Sequence, residues 1–299
     1  MRNRVVVGLF FLLVAAAASA QPRAQADNAN APASNISLRR PANAPRVILG
    51  GTRHRRIHFT FDDGPEPRTT PAMLRALDEL HVKATFFLSA WRLDPNRRDS
   101  EERAELAREI MRRGHPIGSH SFQHVPMPPL SSAALADQID RSGSTLERVL
   151  GFRPVYFRPP HGLRSRAVDA ALAQRDYTTI IWNLNPTDYS VHDAQTVLHH
   201  FNNMLRYRLE HDQQKGGIIL MHDTLSWSLE GFRLIYNELM TRNCDLLAQN
   251  EELFDIVDTL EPFLYEDGHE PDSLGADHDA AVRARAEAFC REHPPRPAS

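Results

Sequence analysis

Short apolar runs alternate along this chain with segments whose apolar residues recur every three or four positions. The runs at 57–61, 84–88, 116–119, 155–157, 178–182 and 217–221 predict buried strands. The periodic segments at 71–80, 100–113, 131–150, 165–175, 193–210 and 229–247 predict helices, two of them stopped by Gly114 and Gly151. A further strand is expected at 254–257 and a terminal helix at 280–291. Strand–helix alternation implies an α/β fold with a parallel sheet and helices outside it. Six or seven such units in about 210 residues suit a barrel better than a doubly wound sheet.

Ionisable residues fall in one kind of place in this pattern. Asp62 and Asp63 follow the first run, His120 and His124 the third, and Arg158 the fourth. Asp188 lies in the loop after the fifth, and His222 follows the sixth. All stand at C-terminal strand ends, which in a parallel barrel converge on the face where active sites form.

The N-terminus reads differently. Arg2 and Arg4 precede an apolar run over 5–17, and Ala18-Ser19-Ala20 closes it as a cleavage site. That is a secretory signal peptide over 1–20, too short in its apolar part to span a bilayer. Residues 21–45, rich in Ala, Pro, Asn, Gln and Ser, predict a flexible linker. The expected organisation is then one catalytic domain over 46–265 and a C-terminal extension over 266–299. The formal net charge is −3, and −5 once Arg2 and Arg4 leave with the signal peptide. No basic face for nucleic acid is present, and no membrane span is expected after cleavage. The only cysteines are Cys244 and Cys290, which an exported protein could join or leave as free thiols.

Thr60-Phe61-Asp62-Asp63-Gly64-Pro65 carries two adjacent carboxylates out of a strand into a Gly-Pro turn. Adjacent residues point different ways, so one carboxylate can hold a cation while the other acts as a base. His120-Ser121-Phe122-Gln123-His124 has two histidines four apart; on one helical turn both rings project to the same side. With Asp63 they make a two-histidine, one-carboxylate set with open positions, as in a hydrolytic zinc site. Zinc would bring its water to a pKa of about 7, and Asp62 would take the proton. Attack on a carbonyl creates an oxyanion for the metal and a backbone N–H to hold, and His222 is the candidate acid for the leaving group. Asp188 would favour imidazolium at His222, and Arg158 would keep Asp62 ionised.

This set resembles the polysaccharide deacetylases of carbohydrate esterase family four, the NodB-homology domain, over roughly Arg46 to Val257. The motifs appear as Thr60-Phe61-Asp62-Asp63-Gly64, His120-Ser121-Phe122-Gln123-His124, Arg158-Pro159-Pro160-His161-Gly162 and Leu220-Met221-His222, in the family's order. The resemblance implies a distorted (β/α) barrel of seven or eight strands. It implies a divalent metal, Zn2+ or another such as Co2+, on Asp63, His120 and His124. It makes Asp62 the base and His222 the acid, with Arg158 orienting Asp62, Asp188 tuning His222, and the His161 backbone N–H joining the metal at the oxyanion.

The chain departs from the pattern in places. A motif usually Asp-x-x-Asp-Trp reads Asn185-Pro186-Thr187-Asp188-Tyr189, and His161 replaces a tyrosine. Both changes bear on pocket shape. Trp182 is expected in the core, while Trp227, beside His222, is the better groove wall; Trp91 and Tyr189 are further candidates. His192, His199, His200, His211 and His115 are expected at the surface. The expected protein is exported, periplasmic or secreted, and its expected activity is metal-dependent removal of N-acetyl, or O-acetyl, groups from a glycan such as peptidoglycan, a chitin-like chain or an exopolysaccharide. Hydrolysis of a small cyclic amide or imide, and a silent glycan-binding protein, are the alternatives.

Overall fold

The computed structural model describes residues 45–265 and 269–293. The expected signal peptide, the expected linker up to residue 44, and residues 294–299 lie outside that description. The strands are β1 (Val47–Ile48), β2 (Gly51–Thr52), β3 (Arg56–Asp62), β4 (Thr85–Leu88), β5 (Ile117–Ser119), β6 (Tyr156–Phe157), β7 (Thr178–Ile180), β8 (Gly216–His222) and β9 (Asp255–Ile256). The helices are α1 (Thr70–Glu79), α2 (Ser100–Arg112), α3 (Ser132–Leu150), α4 (Arg166–Ala173), α5 (Ala194–Asp212), α6 (Ser226–Gln249) and α7 (Ala276–Glu292).

Eight strands run in the order β1-β7-β6-β5-β4-β3-β8-β2, with β9 paired to the start of β3. All pairs are parallel except β2 with β8. The sheet curls until the chain just past β7 meets β8: Leu184 bridges Ile219, and Gly50 O accepts from Ile218 N. That is the distorted barrel expected. Strand β3 is buried along its whole length, because β4 and β8 flank it and helices cover it. Its register sets Asp62 beside His222 on β8. Ser119 on β5 is likewise level with Phe157 on β6, so His120 and Arg158 emerge together.

The helices end where local chemistry stops them. Ser131 and Asp193 accept from Ala134 N and Thr196 N at the starts of α3 and α5. Gly151, at φ 82°, closes α3 in the left-handed conformation that only glycine adopts freely. His115, expected at the surface, is instead buried, with Nδ1 accepting from Ala84 N. A polar ring cannot sit there charged, and burial pushes it down to about 3.

Cys244 of α6 and Cys290 of α7 form a disulfide that ties the C-terminal helix to the barrel. The same segment caps the N-terminal strand ends: Arg56 donates to Pro271 O and Asp272 O, and His278 pairs with Asp255. The bridge closes a separation of 46 residues. Cys290→Ser is expected to lower unfolding free energy by roughly 2–4 kcal/mol, seen as a lower urea midpoint. An unchanged midpoint would mean that α7 is held by packing alone.

Candidate active site

The residues predicted from the sequence meet at the C-terminal rim of the sheet. The Asp62 and Arg158 side chains are almost completely buried against one another. Arg158 Nη1 donates to Asp62 Oδ1 and to Thr60 Oγ1, each at 2.7 Å, and Nε to Ile180 O at 3.2 Å. The guanidinium lies 4.1 Å from the Phe87 ring centroid, a packed slot with one orientation. Oδ1 of Asp62 is therefore committed to Arg158. Oδ2 faces the other way, 3.6 Å from His120 Nε2.

Asp63, His120 and His124 bring one ligand atom each to within 4.8 Å of the others. His120 Nδ1 lies 2.7 Å from Arg158 O. A carbonyl only accepts, so Nδ1 carries the proton and Nε2 presents a lone pair. His124 is driven down to about 4, chiefly by burial, so its ring is neutral. Burial opposes charge on Asp63, yet its carboxyl is held below the usual carboxylate range, with the His222 imidazolium and Arg92 as the cations near it. Its Oδ1 is buried and accepts no hydrogen bond, although His124 Nε2 is 3.2 Å away. Three electron-pair donors facing one another without a proton between them fit a cation, and their nitrogen–oxygen character fits a first-row divalent ion.

The two histidines do not sit on a helical turn, as their spacing had suggested. They belong to an irregular loop in which Ser121 and His124 have φ of 64° and 56°. Ser121 Oγ accepts from His124 N and holds that turn. Asp63 (75°), His161 (58°) and Thr187 (56°) are also left-handed. The other left-handed non-glycine residues, His81, Asp176, Gln213 and Asn250, follow helix ends, where that conformation is ordinary. The five in rim loops hold backbone strain where side chains must be aimed.

On the opposite wall, His222 Nδ1 lies 2.8 Å from Asp188 Oδ1. Asp188 is fully buried; its Oδ2 accepts from His222 N at 2.7 Å and from Ser228 Oγ at 2.6 Å. Trp227 Nε1 donates to Asp188 O at 2.7 Å. Burial works against an imidazolium at His222. The hydrogen bond and charge of Asp188, helped by Asp62 and Asp63, override it and lift the group to about 9. Trp227 is half-buried, packs against the core and holds the Asp188 backbone in place. Tyr189, 54% exposed, stands edge-on to His222 with ring centroids 5.7 Å apart. Trp182 packs in the core and Trp91 sits against Arg92 and Arg97. His161 is exposed beside His124, 4.7 Å between ring centroids.

Asp223 was not singled out from the sequence. It is buried, bonded to the Thr70 hydroxyl, and packed where a side chain on Gly64 would collide with it. Burial raises its carboxyl to about 7, against the pull of Thr70 and Arg92. Thr70 also accepts from Glu66 N, so Asp223 braces the turn that carries Asp63. Its position directly after His222 was the one available signal.

Residues 50–180 match the sequence profile of the polysaccharide deacetylase family. A peptidoglycan-N-acetylglucosamine deacetylase of Bacillus cereus is 28% identical over 175 residues, covering 58% of each chain. This chain thus spans less than two thirds of that relative's length. A solved peptidoglycan N-acetylglucosamine deacetylase shares the fold at a TM-score of 0.58 and 22% identity, over 76% of this chain and 95% of that one. A pseudoenzyme of the CE4 family from Bacillus anthracis shares it at a TM-score of 0.56 and 24% identity, over 71% and 70%.

Proposed function

Because the chain belongs to the polysaccharide deacetylase family, with its NodB-homology domain and carbohydrate esterase family four fold, we propose that it is an exported, metal-dependent deacetylase. It removes N-acetyl groups, and by the same route O-acetyl groups, from a glycan such as peptidoglycan, a chitin-like polymer or an exopolysaccharide. The observation that carries this reading is a pair of buried dyads, Arg158–Asp62 and Asp188–His222, on either side of the Asp63-His120-His124 cluster.

Asp63, His120 and His124 would hold the cation, Zn2+ or Co2+. When bound, it supplies Lewis acidity that activates water and offsets charge on the acyl oxygen. Asp62 takes the water's proton on Oδ2, the oxygen that Arg158 leaves free. The His161 backbone N–H donates to the oxyanion. As the water oxygen bonds to the acyl carbon, the carbon–nitrogen bond breaks and His222 Nε2–H protonates the departing amine. Acetate and a free amine result. Arg158 fixes the base; Asp188 fixes the tautomer and charge of the acid.

A general acid must be protonated. His222 is lifted above its ordinary value, so activity is expected to be full on the acidic side of its limb and to fall as pH rises through it. The limb should lie between about 6.5 and about 9, the upper value being set by Asp188. A cation beside Asp63 cancels part of the negative field and moves the limb down within that window. A kcat profile flat from pH 6 to about 10 would remove His222 from the acid role.

Export agrees with the Cys244–Cys290 bridge, which persists in oxidising compartments. No described helix is long and apolar enough to cross a membrane. The fold shared with a pseudoenzyme favours one second reading, a silent glycan-binding protein. The complete set of dyads weighs against it. The deciding experiment is acetate release by the protein from Gln21 onward, with and without chelator, on chitin oligomers, peptidoglycan and acetylated xylan. Chelator-sensitive release from any of them supports the deacetylase. Bound metal without release from all three supports the silent protein.

A further inference from the structure

Residues 63–66 lead away from the end of β3 and belong to no strand or helix. Asp63, the first of them, is left-handed at φ 75°. A stretch without a ladder has to be tied from outside if one of its side chains is to stay aimed. Thr70 ties one side of it, accepting from Glu66 N at 2.8 Å. Ser89 N, just past β4, donates to Gly64 O at 3.2 Å.

The remaining ties come from α2. Arg103 Nη1 donates to Pro65 O at 2.6 Å, and both Nη1 and Nη2 lie 3.3 Å from Glu66 Oε2. Its Nε donates to Asp99 Oδ2 at 2.8 Å, which anchors the guanidinium to the start of α2. Arg92 Nη1 donates to the same Glu66 oxygen at 3.0 Å. Only 8% of the Arg103 side chain and 14% of the Glu66 side chain are exposed. Burial opposes charge on Glu66, but Arg103 and Arg92 override it and hold the carboxyl below the usual carboxylate range. Charges buried in this way add little to stability, and they are better explained by a need for one fixed geometry. Arg103 makes no hydrogen bond to Asp63, so it acts through the backbone between them.

Resting on the reading that Asp63, His120 and His124 hold a divalent cation, we propose that Arg103 and Glu66 are positioning residues for Asp63. They clamp the 63–66 turn so that Asp63 Oδ1 stays 3.6 Å from His120 Nε2 and 3.2 Å from His124 Nε2. A guanidinium is required at 103 because its fork reaches Asp99, Pro65 O and Glu66 together, which the single ammonium of a lysine does not.

The test titrates metal-free protein calorimetrically with Zn2+ and records the visible absorption of the Co2+ form. Arg103→Lys keeps the charge and loses the fork, and Glu66→Gln removes the charged acceptor. Arg113, at the far end of α2, pairs with Glu109 and Asp78 away from the turn. Arg113→Lys therefore reports what loosening α2 does by itself. Arg103→Lys and Glu66→Gln should each weaken cation binding roughly 10–100-fold and shift the Co2+ spectrum, and Arg113→Lys should do neither. Wild-type affinity in either folded clamp variant, or an equal loss in Arg113→Lys, overturns the assignment. If neither clamp variant folds, the pair serves the fold rather than the cation, and the assignment is overturned as well. A wild-type protein that binds no cation fails the metal reading and the clamp together; cation binding that no variant alters fails the clamp alone.

Discussion

Asp62→Asn is expected to lower turnover on an acetylated glycan about 10²–10⁴-fold while the bound cation stays in place. The geometry makes this an unusually clean substitution. Arg158 Nη1 donates to Oδ1 of Asp62 and to Thr60 Oγ1, while its Nε donates to Ile180 O. An asparagine must offer its carbonyl oxygen to that donor, because two donors cannot face each other. Its amide nitrogen then occupies the place of Oδ2. The group facing the site becomes a donor that cannot accept a proton, and no ligand atom of Asp63, His120 or His124 is removed. Chemistry should be lost with little change in KM. The measurement is kcat alongside metal content per chain. Turnover within a few-fold of wild type would take Asp62 out of the base role.

His120→Ala should abolish cation binding and activity together. The substitution deletes the donor atom that lies 3.6 Å from both Asp63 Oδ1 and Asp62 Oδ2. It also leaves Arg158 O, buried beside it, without its 2.7 Å partner. Loss of a residue that merely orients a metal ligand typically costs about 10–100-fold in affinity, and loss of a ligand should exceed that. Metal content after dialysis should fall far below that of wild type, while the far-ultraviolet circular dichroism is kept. Full metal content in a folded His120→Ala protein would mean that the cation sits elsewhere.

The two histidines show how a sequence can point to a cluster through the wrong local structure. A spacing of four suggested a helical turn for His120 and His124. The chain instead turns through left-handed Ser121 and His124. Such a conformation leaves no periodic trace in sequence, because loop and neighbouring strands impose it. What was legible was the position of the loop after a buried run. The same holds for Asp188. Its place after the fifth run could be read, but not the three donors from His222 and Ser228 that make it a fixed acceptor. Asp223 was missed because a carboxylate next to a histidine looks like any surface pair; only burial against Gly64 and Thr70 distinguishes it. His115 misled for the opposite reason, as a polar residue before a proline whose ring turns inward.

The alternation of apolar runs and amphipathic segments determined the strand–helix order, the parallel sheet and the end of the sheet at which chemistry gathers. Those features follow from local periodicity and from the burial that each pattern demands. The tertiary structure decided which atoms face one another. Register set Asp62 beside His222, and side-chain packing turned Arg158 onto one oxygen of Asp62. It also joined Cys244 to Cys290. Distances between residues far apart in sequence depend on how strands align and helices pack, and no run of residues encodes that alone.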